Sequence, residues 1–193
     1  MGKADIVSIL RSDKTVFSFK DILLASGESN PARLRRKISY YTTHGQLYGL
    51  RRGLYAKDKN FNKLELATKI LSPAYVSFET VLAEAGIIFQ RYSQIFVASY
   101  QTKEIICDGQ TYAFKKIKDN LLTNNAGIED RNNYSIATKE RAFLDVAYLN
   151  KDYHFDNLAP LDWSKVFELL ALYENKRMTK KVNEYYKAFK TEN

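Results

Sequence analysis

Five cations near the front of the chain are placed to hold phosphate: Arg33, Arg36 and Lys37 in one short segment, and Arg51 and Arg52 just before Gly53. Residues 1 to 60 carry 12 Lys and Arg against 5 Asp and Glu, whereas residues 61 to 193 carry 18 against 17. Almost all of the formal net charge of +8 therefore lies at the front. A localised basic surface gains affinity for nucleic acid by neutralising phosphates and releasing their counterions. A solvated basic face on an ordinary domain would give the same charge count.

Groups for bond-making chemistry are thinner. The sequence has no Gly-rich phosphate loop, no HExxH, no metal-spaced Cys/His set and no nucleophile elbow. His44 and His154 lie far apart and read as surface or capping residues. Glu140 with Asp145, and Glu129 with Asp130, are paired carboxylates. Asp145 sits among apolar helix positions and is expected to bond nearby backbone or Arg141. Cys107 is alone, which excludes an intrachain disulfide and a thiolate zinc cluster, and it reads as a small apolar filler on a strand. No enzymatic activity, metal or cofactor is expected, although a composite site drawn from distant residues stays open.

The cations need elements to position them. Ile6, Val7, Ile9 and Leu10 have the spacing of one apolar helical stripe over residues 4–12. VFSF at 16–19 reads as a strand, and FKDILLAS as a helix that stops at Gly27. Asn30 before Pro31 then gives an N-cap followed by a first-turn proline. In the helix so started, Leu34, Ile38 and Tyr41 form an inward face, and Arg33, Arg36, Lys37 and Tyr40 lie on the other side. Two short strands follow around a turn made by Arg51, Arg52 and Gly53. Helix, strand, helix, basic helix and basic hairpin is the order of a winged helix-turn-helix, in which a helix enters the major groove and a wing lays arginine on the backbone. The expected DNA contacts are Ser29, Asn30, Arg33, Arg36, Lys37, Tyr40, Arg51 and Arg52. Such modules also bind proteins, and Tyr40 could either bond a phosphate or cover the domain surface.

The fold expected is α+β: a winged helix-turn-helix over residues 1–60, then an α+β domain over 61–193 with a small antiparallel sheet and flanking helices. Residues 62–71 read as a helix buried through Leu64, Ala67, Ile70 and Leu71 and broken at Pro73. Ser77 is expected to cap the next helix, with Thr80 or Ser77 and the acidic Glu79 near its positive end. Runs at 94–100, 103–109 and 110–118 read as consecutive antiparallel strands, turning at Asp108-Gly109, in a sheet between about residues 92 and 135. Thr138 should cap a helix buried through Ala142, Phe143, Val146, Ala147 and Leu149. From Trp163 to Phe189 the chain reads as helical, and its Lys176, Arg177, Lys180 and Lys181 as an exposed face that could also meet nucleic acid or a second protomer.

Low glycine (8) and proline (3) with 45% hydrophobic residues argue for a folded chain. The charged start and the absence of a long apolar run point to a cytoplasmic protein with no membrane association.

The runs GLYAK (53–57), ELATKI (65–70), SPAYVSFETVLAEAGII (72–88) and IATKERAFLDVAYL (136–149) together resemble the AbiEi antitoxins of bacterial abortive-infection systems. The resemblance covers nearly the whole chain and rests on the ordered set of motifs rather than on any single one. It implies a winged helix that represses its own operon at inverted repeats, acting as a monomer or weak dimer that binds DNA cooperatively. It also implies a C-terminal domain that counters a co-encoded nucleotidyltransferase toxin without a stable complex. Glu79, Glu140, Arg141 and Asp145 fall at the recurrent polar positions of that domain, where capping and salt bridging would equally explain them. Arg141 and Phe143 stand where Lys and Leu are more usual. The other reading is a winged-helix regulator whose C-terminal domain senses a small molecule or is a cryptic enzyme.

Overall fold

The computed structural model describes residues 9–192 and is α+β, with two sheets and flanking helices. Of the first expected helix, Ile6 and Val7 lie outside the described residues; Ile9 is buried and Leu10 is exposed. Strand β1 (Val16–Ser18) runs straight into α1 (Phe19–Ser26), because Ser18 and Asp21 form a capping box. The Ser18 amide donates to Asp21 Oδ2 at 2.7 Å and the Asp21 amide donates to Ser18 Oγ at 3.1 Å. Gly27, left-handed at φ 61°, ends α1. Helix α2 (Pro31–Thr43) buries Leu34 and Ile38. Strands β2 (Tyr48–Arg51) and β3 (Leu54–Ala56) then complete an antiparallel sheet in the order β1-β3-β2.

Alternation along these strands gives that sheet two apolar faces. Phe17 and Tyr55 join Ile9, Ile22, Leu34, Ile38 and Leu47 in a small core, whereas Val16, Leu54 and Ala56 enter the large core of the remaining chain. Helix α3 (Lys63–Ile70) covers the second face. Its fully buried residues are Glu65, Leu66 and Ala67; Leu64, Ile70 and Leu71 are only half-buried. Glu65 was not expected inside. Its Oε2 accepts from the Thr15 amide at 2.8 Å and from Thr15 Oγ1 at 2.7 Å, which offsets part of the loss of hydration, while Oε1 is buried without a hydrogen-bond partner.

The large sheet corrects the expectation of a small antiparallel one. It has six strands in the order β6-β7-β5-β4-β9-β8: β4 (Ala74–Val76), β5 (Ile95–Ser99), β6 (Lys103–Cys107), β7 (Gln110–Lys116), β8 (Ile128–Arg131) and β9 (Tyr134–Ala137). Strand β5 does not pair with β6. It lies parallel to β7, with Val97 opposite Phe114, and β4 lies parallel to β9 through Val76 and Ile136. The physical reason lies in the side chains. Every residue of β5 is buried, which suits an interior strand, while Lys103, Glu104 and Ile106 of β6 are exposed, which suits an edge. The β6-β7 hairpin does turn at Asp108-Gly109.

Helix α4 (Glu79–Glu84) starts from Phe78, which sits at φ 57° and supplies no side-chain cap. Neither Ser77 nor Thr80 caps it: Ser77 Oγ donates to Asp145, and Thr80 Oγ1 accepts from the Phe96 amide at 2.7 Å. After α5 (Asp119–Leu122), helix α6 (Lys139–Leu149) is capped by Thr138 and buried along most of its length, though Leu149 is exposed. The C-terminal helical stretch is broken in two. Helix α7 (Trp163–Leu170) passes through a 3-10 turn and a left-handed Glu174 before α8 (Lys176–Glu192) begins. Among the described residues no helix is long and apolar enough to cross a membrane.

Candidate nucleic-acid interface

The start of α2 is built by Asn30, whose Oδ1 accepts from the amides of Ala32 (3.0 Å) and Arg33 (3.2 Å). Leu34 and Ile38 anchor the helix in the small core, so Arg33, Arg35 and Arg36 are turned to solvent; Ser29 and Asn30 are exposed as well. Tyr40 is 57% exposed and lies against the His44 ring at 3.9 Å between centroids. His44 is the C-cap residue, with Nδ1 2.8 Å from the Tyr40 carbonyl. In the hairpin, Arg51 and Arg52 are exposed at the tip, and Gly53 takes φ 80°, where a side chain would be strained.

All eight expected contacts thus belong to one unit around the three-stranded sheet. Sequence reasoning missed two neighbours. Arg35 is exposed with its guanidinium 5.1 Å from the centre of the Phe19 ring, and a full helical projection would have put it beside Arg36. Glu28 lies before the helix, 3.1 Å from Lys37 Nζ and 3.8 Å from Arg33 Nε. A hydrogen bond from Lys37 holds the Glu28 carboxyl below its usual range. The Glu28 carboxylate thus lies between these two cations.

The four polar positions singled out in the later part of the chain are not brought together as one group. Glu79 pairs with Lys115 at 2.8 and 2.9 Å, and Lys115 lies over the rings of Phe78 and Phe96. Glu140 Oε1 accepts from the Asp162 amide at 3.2 Å and so ties α6 to the start of α7. Arg141 and Asp145, one turn apart on α6, are both fully buried with 3.4 Å between Nε and Oδ1. Asp145 also accepts from Tyr173 (2.7 Å), Ser77 (2.8 Å) and Tyr75 (3.0 Å). Arg141 donates to the carbonyls of Leu121 (2.7 Å) and Ala126 (2.9 Å) and to Tyr75 Oη (3.1 Å).

Burial pushes the Asp145 carboxyl up, against the pull of the guanidinium and the three hydroxyl donors. It also pushes the phenols of Tyr75 and Tyr173 well above their ordinary value, which keeps them protonated as donors. Burial alone would lower Arg141, but Tyr173, Asp145 and Tyr75 hold it raised and charged. The network is a buried cross-brace between β4, α6 and the turn after α7. That Tyr75, Ser77 and Tyr173 converge on Asp145 carries no local sequence signal.

A cleft of about 760 Å³ lies beside Tyr75, lined by Lys14, Ser18 and Asp21 from the front of the chain and by Lys69, Asp130 and Tyr134 from the rest. His154 is exposed in a loop, 3.8 Å from Asp156, and Cys107 is buried at the end of β6. Among the described residues no cluster of three or more His, Cys, Asp or Glu could hold a metal ion. Neither a scan against protein-family models nor a search of the curated proteins finds a match to this chain.

Proposed function

We propose that the chain is a DNA-binding autorepressor and antitoxin that counters a co-encoded nucleotidyltransferase toxin. In this reading residues 1–60 form a winged helix-turn-helix, residues 61–193 carry the antitoxin function, and the protein works in the cytoplasm. One observation carries the DNA half: the capped, exposed start of α2 presents Arg33 and Arg36, and the same small unit presents Arg51 and Arg52 at a hairpin tip. A helix start of this kind reaches base edges or phosphates, and a basic tip reaches the adjacent backbone. The toxin half rests on the ordered sequence motifs. The cleft beside Tyr75 supports a second reading, in which a small molecule bound there modulates the DNA-binding unit.

The test is a binding titration on the gene's own upstream DNA against a scrambled duplex at about 50 and 200 mM salt. Neutralising about 4 to 6 phosphates gives a log-log slope of roughly −4 to −5. The Arg51→Ala/Arg52→Ala double variant should lose about 2 of that slope while still protecting cells from the toxin. Loss of protection in a folded double variant would overturn the division of labour, and equal binding to the scrambled duplex would overturn the repressor reading.

A further inference from the structure

Arg51 ends β2, the edge strand of a three-stranded sheet, and Arg52 follows it in the turn. As an edge strand β2 has a ladder partner, β3, on one side only, and the turn beyond it is tied where the Phe19 amide donates to the Gly53 carbonyl at 2.9 Å. Two further contacts, from the β6-β7 turn of the large sheet, hold β2 itself. Tyr48 Oη, at the start of β2, donates to Asp108 Oδ1 at 2.7 Å, although the two are 60 residues apart in sequence. The register between β2 and β3 then shifts between Gly49 and Arg51, a bulge that leaves Leu50 without an opposing residue. The Leu50 carbonyl faces the Cys107 thiol at 3.5 Å.

Cys107 and Asp108 are consecutive residues at the turn of the β6-β7 hairpin, and Asp108 takes φ 49°, a conformation that Asp and Asn tolerate better than most residues. The turn is therefore a fixed point on the six-stranded sheet. It meets β2 immediately before Arg51, at the bulge, the device by which strands are bent and side chains re-aimed.

We propose that Tyr48 and Asp108 are positioning residues that aim the Arg51-Arg52 tip at DNA, so that the large sheet sets the pose of the wing. The inference rests on the DNA-binding reading above. With the strand held, the arginines lose little freedom on binding. With it released, only a fraction of molecules present them correctly, and the apparent affinity falls by that fraction.

The experiment is a double-mutant cycle on the full chain, read as affinity for its own upstream DNA at about 0.15 M salt with melting temperature recorded alongside. Tyr48→Phe keeps the ring and removes the donor; it should bind about three- to tenfold more weakly with little change in melting. Asp108→Asn keeps an oxygen acceptor in the same backbone conformation and should stay within about twofold of the unaltered protein. In a protein already carrying Arg51→Ala and Arg52→Ala, Tyr48→Phe should have no further effect. Wild-type affinity in Tyr48→Phe, or the same loss with and without the two arginines, overturns the positioning role. An unaltered protein with no preference for its upstream DNA overturns the DNA reading itself, a result the cycle separates from the other two.

Discussion

Replacing Arg141 by Met removes a guanidinium from a site with no solvent access while keeping most of the side-chain volume. Asp145 would keep its three hydroxyl donors but lose its charged partner at 3.4 Å, and the carbonyls of Leu121 and Ala126 would each lose a donor. Breaking one side of a buried ion pair costs about 3–5 kcal/mol, because the charge left behind is uncompensated. In a chain of 193 residues each kcal/mol moves the melting temperature by about 2–4 °C, so the expected drop is about 6–20 °C. The comparison variant is Arg131→Met, which breaks the ion pair with Glu129 at 2.7 Å; both of its side chains are about half exposed. Solvent screening holds such a pair to about 1 kcal/mol at most, so that variant should fall by no more than about 4 °C. Adding Asp145→Asn to Arg141→Met removes the stranded charge and should recover part of the loss. Differential scanning calorimetry on the four proteins decides the matter. Equal melting of Arg141→Met and Arg131→Met would refute the reasoning.

Gly127 sits at φ 72°, and a Cβ there would lie 2.9 Å from both Arg141 Cβ and Leu169 Cδ1, so Gly127→Ala should destabilise by about 1–3 kcal/mol, read by urea unfolding. An unchanged urea midpoint would mean that α6 and α7 can part at no cost. Burial by itself would raise the Asp21 carboxyl, but hydrogen bonds from Ser18 and the charges of Lys69 and Lys14 outweigh it and leave it lowered. A carboxyl lowered in the folded state contributes stability above its unfolded value, near 3.8, and loses that contribution as pH falls through the folded value. Relative to Asp21→Asn, the unaltered protein should therefore be more stable at pH 7, with the gap closing below about pH 4. A gap that stays constant down to pH 2 would contradict this.

The front of the chain was legible because its signals are local. An Asn-Pro helix start, a glycine stop and a glycine turn each act within four residues, and α1, α2, β2 and β3 follow them closely. The large sheet was not, because strand order depends on partners far apart in sequence. Nothing near residue 97 says that Phe114, rather than a residue of β6, will lie beside it; the only trace is that β5 is apolar on both faces. Polar residues inside the core misled for a related reason. Glu65 and Ser77 sit where local rules read a solvent-facing acid and a helix cap, but their partners, Thr15 and Asp145, come from 50 and 68 residues away. Arg141 with Asp145 was readable as a pair from its one-turn spacing; the enclosing tyrosines were not.

The two-faced sheet β1-β3-β2 has a consequence for synthesis on the ribosome. Its strands are complete once residue 56 has emerged, and the small core can close on Phe17 and Tyr55 at that point. Val16, Leu54 and Ala56 on the opposite face must wait for α3, which covers that face and ends only at Ile70. At about 5–20 residues per second the intervening stretch takes roughly 1 to 3 s to make. Through that interval the nascent protein displays an uncovered apolar patch beside its basic helix, a surface open to chaperone capture.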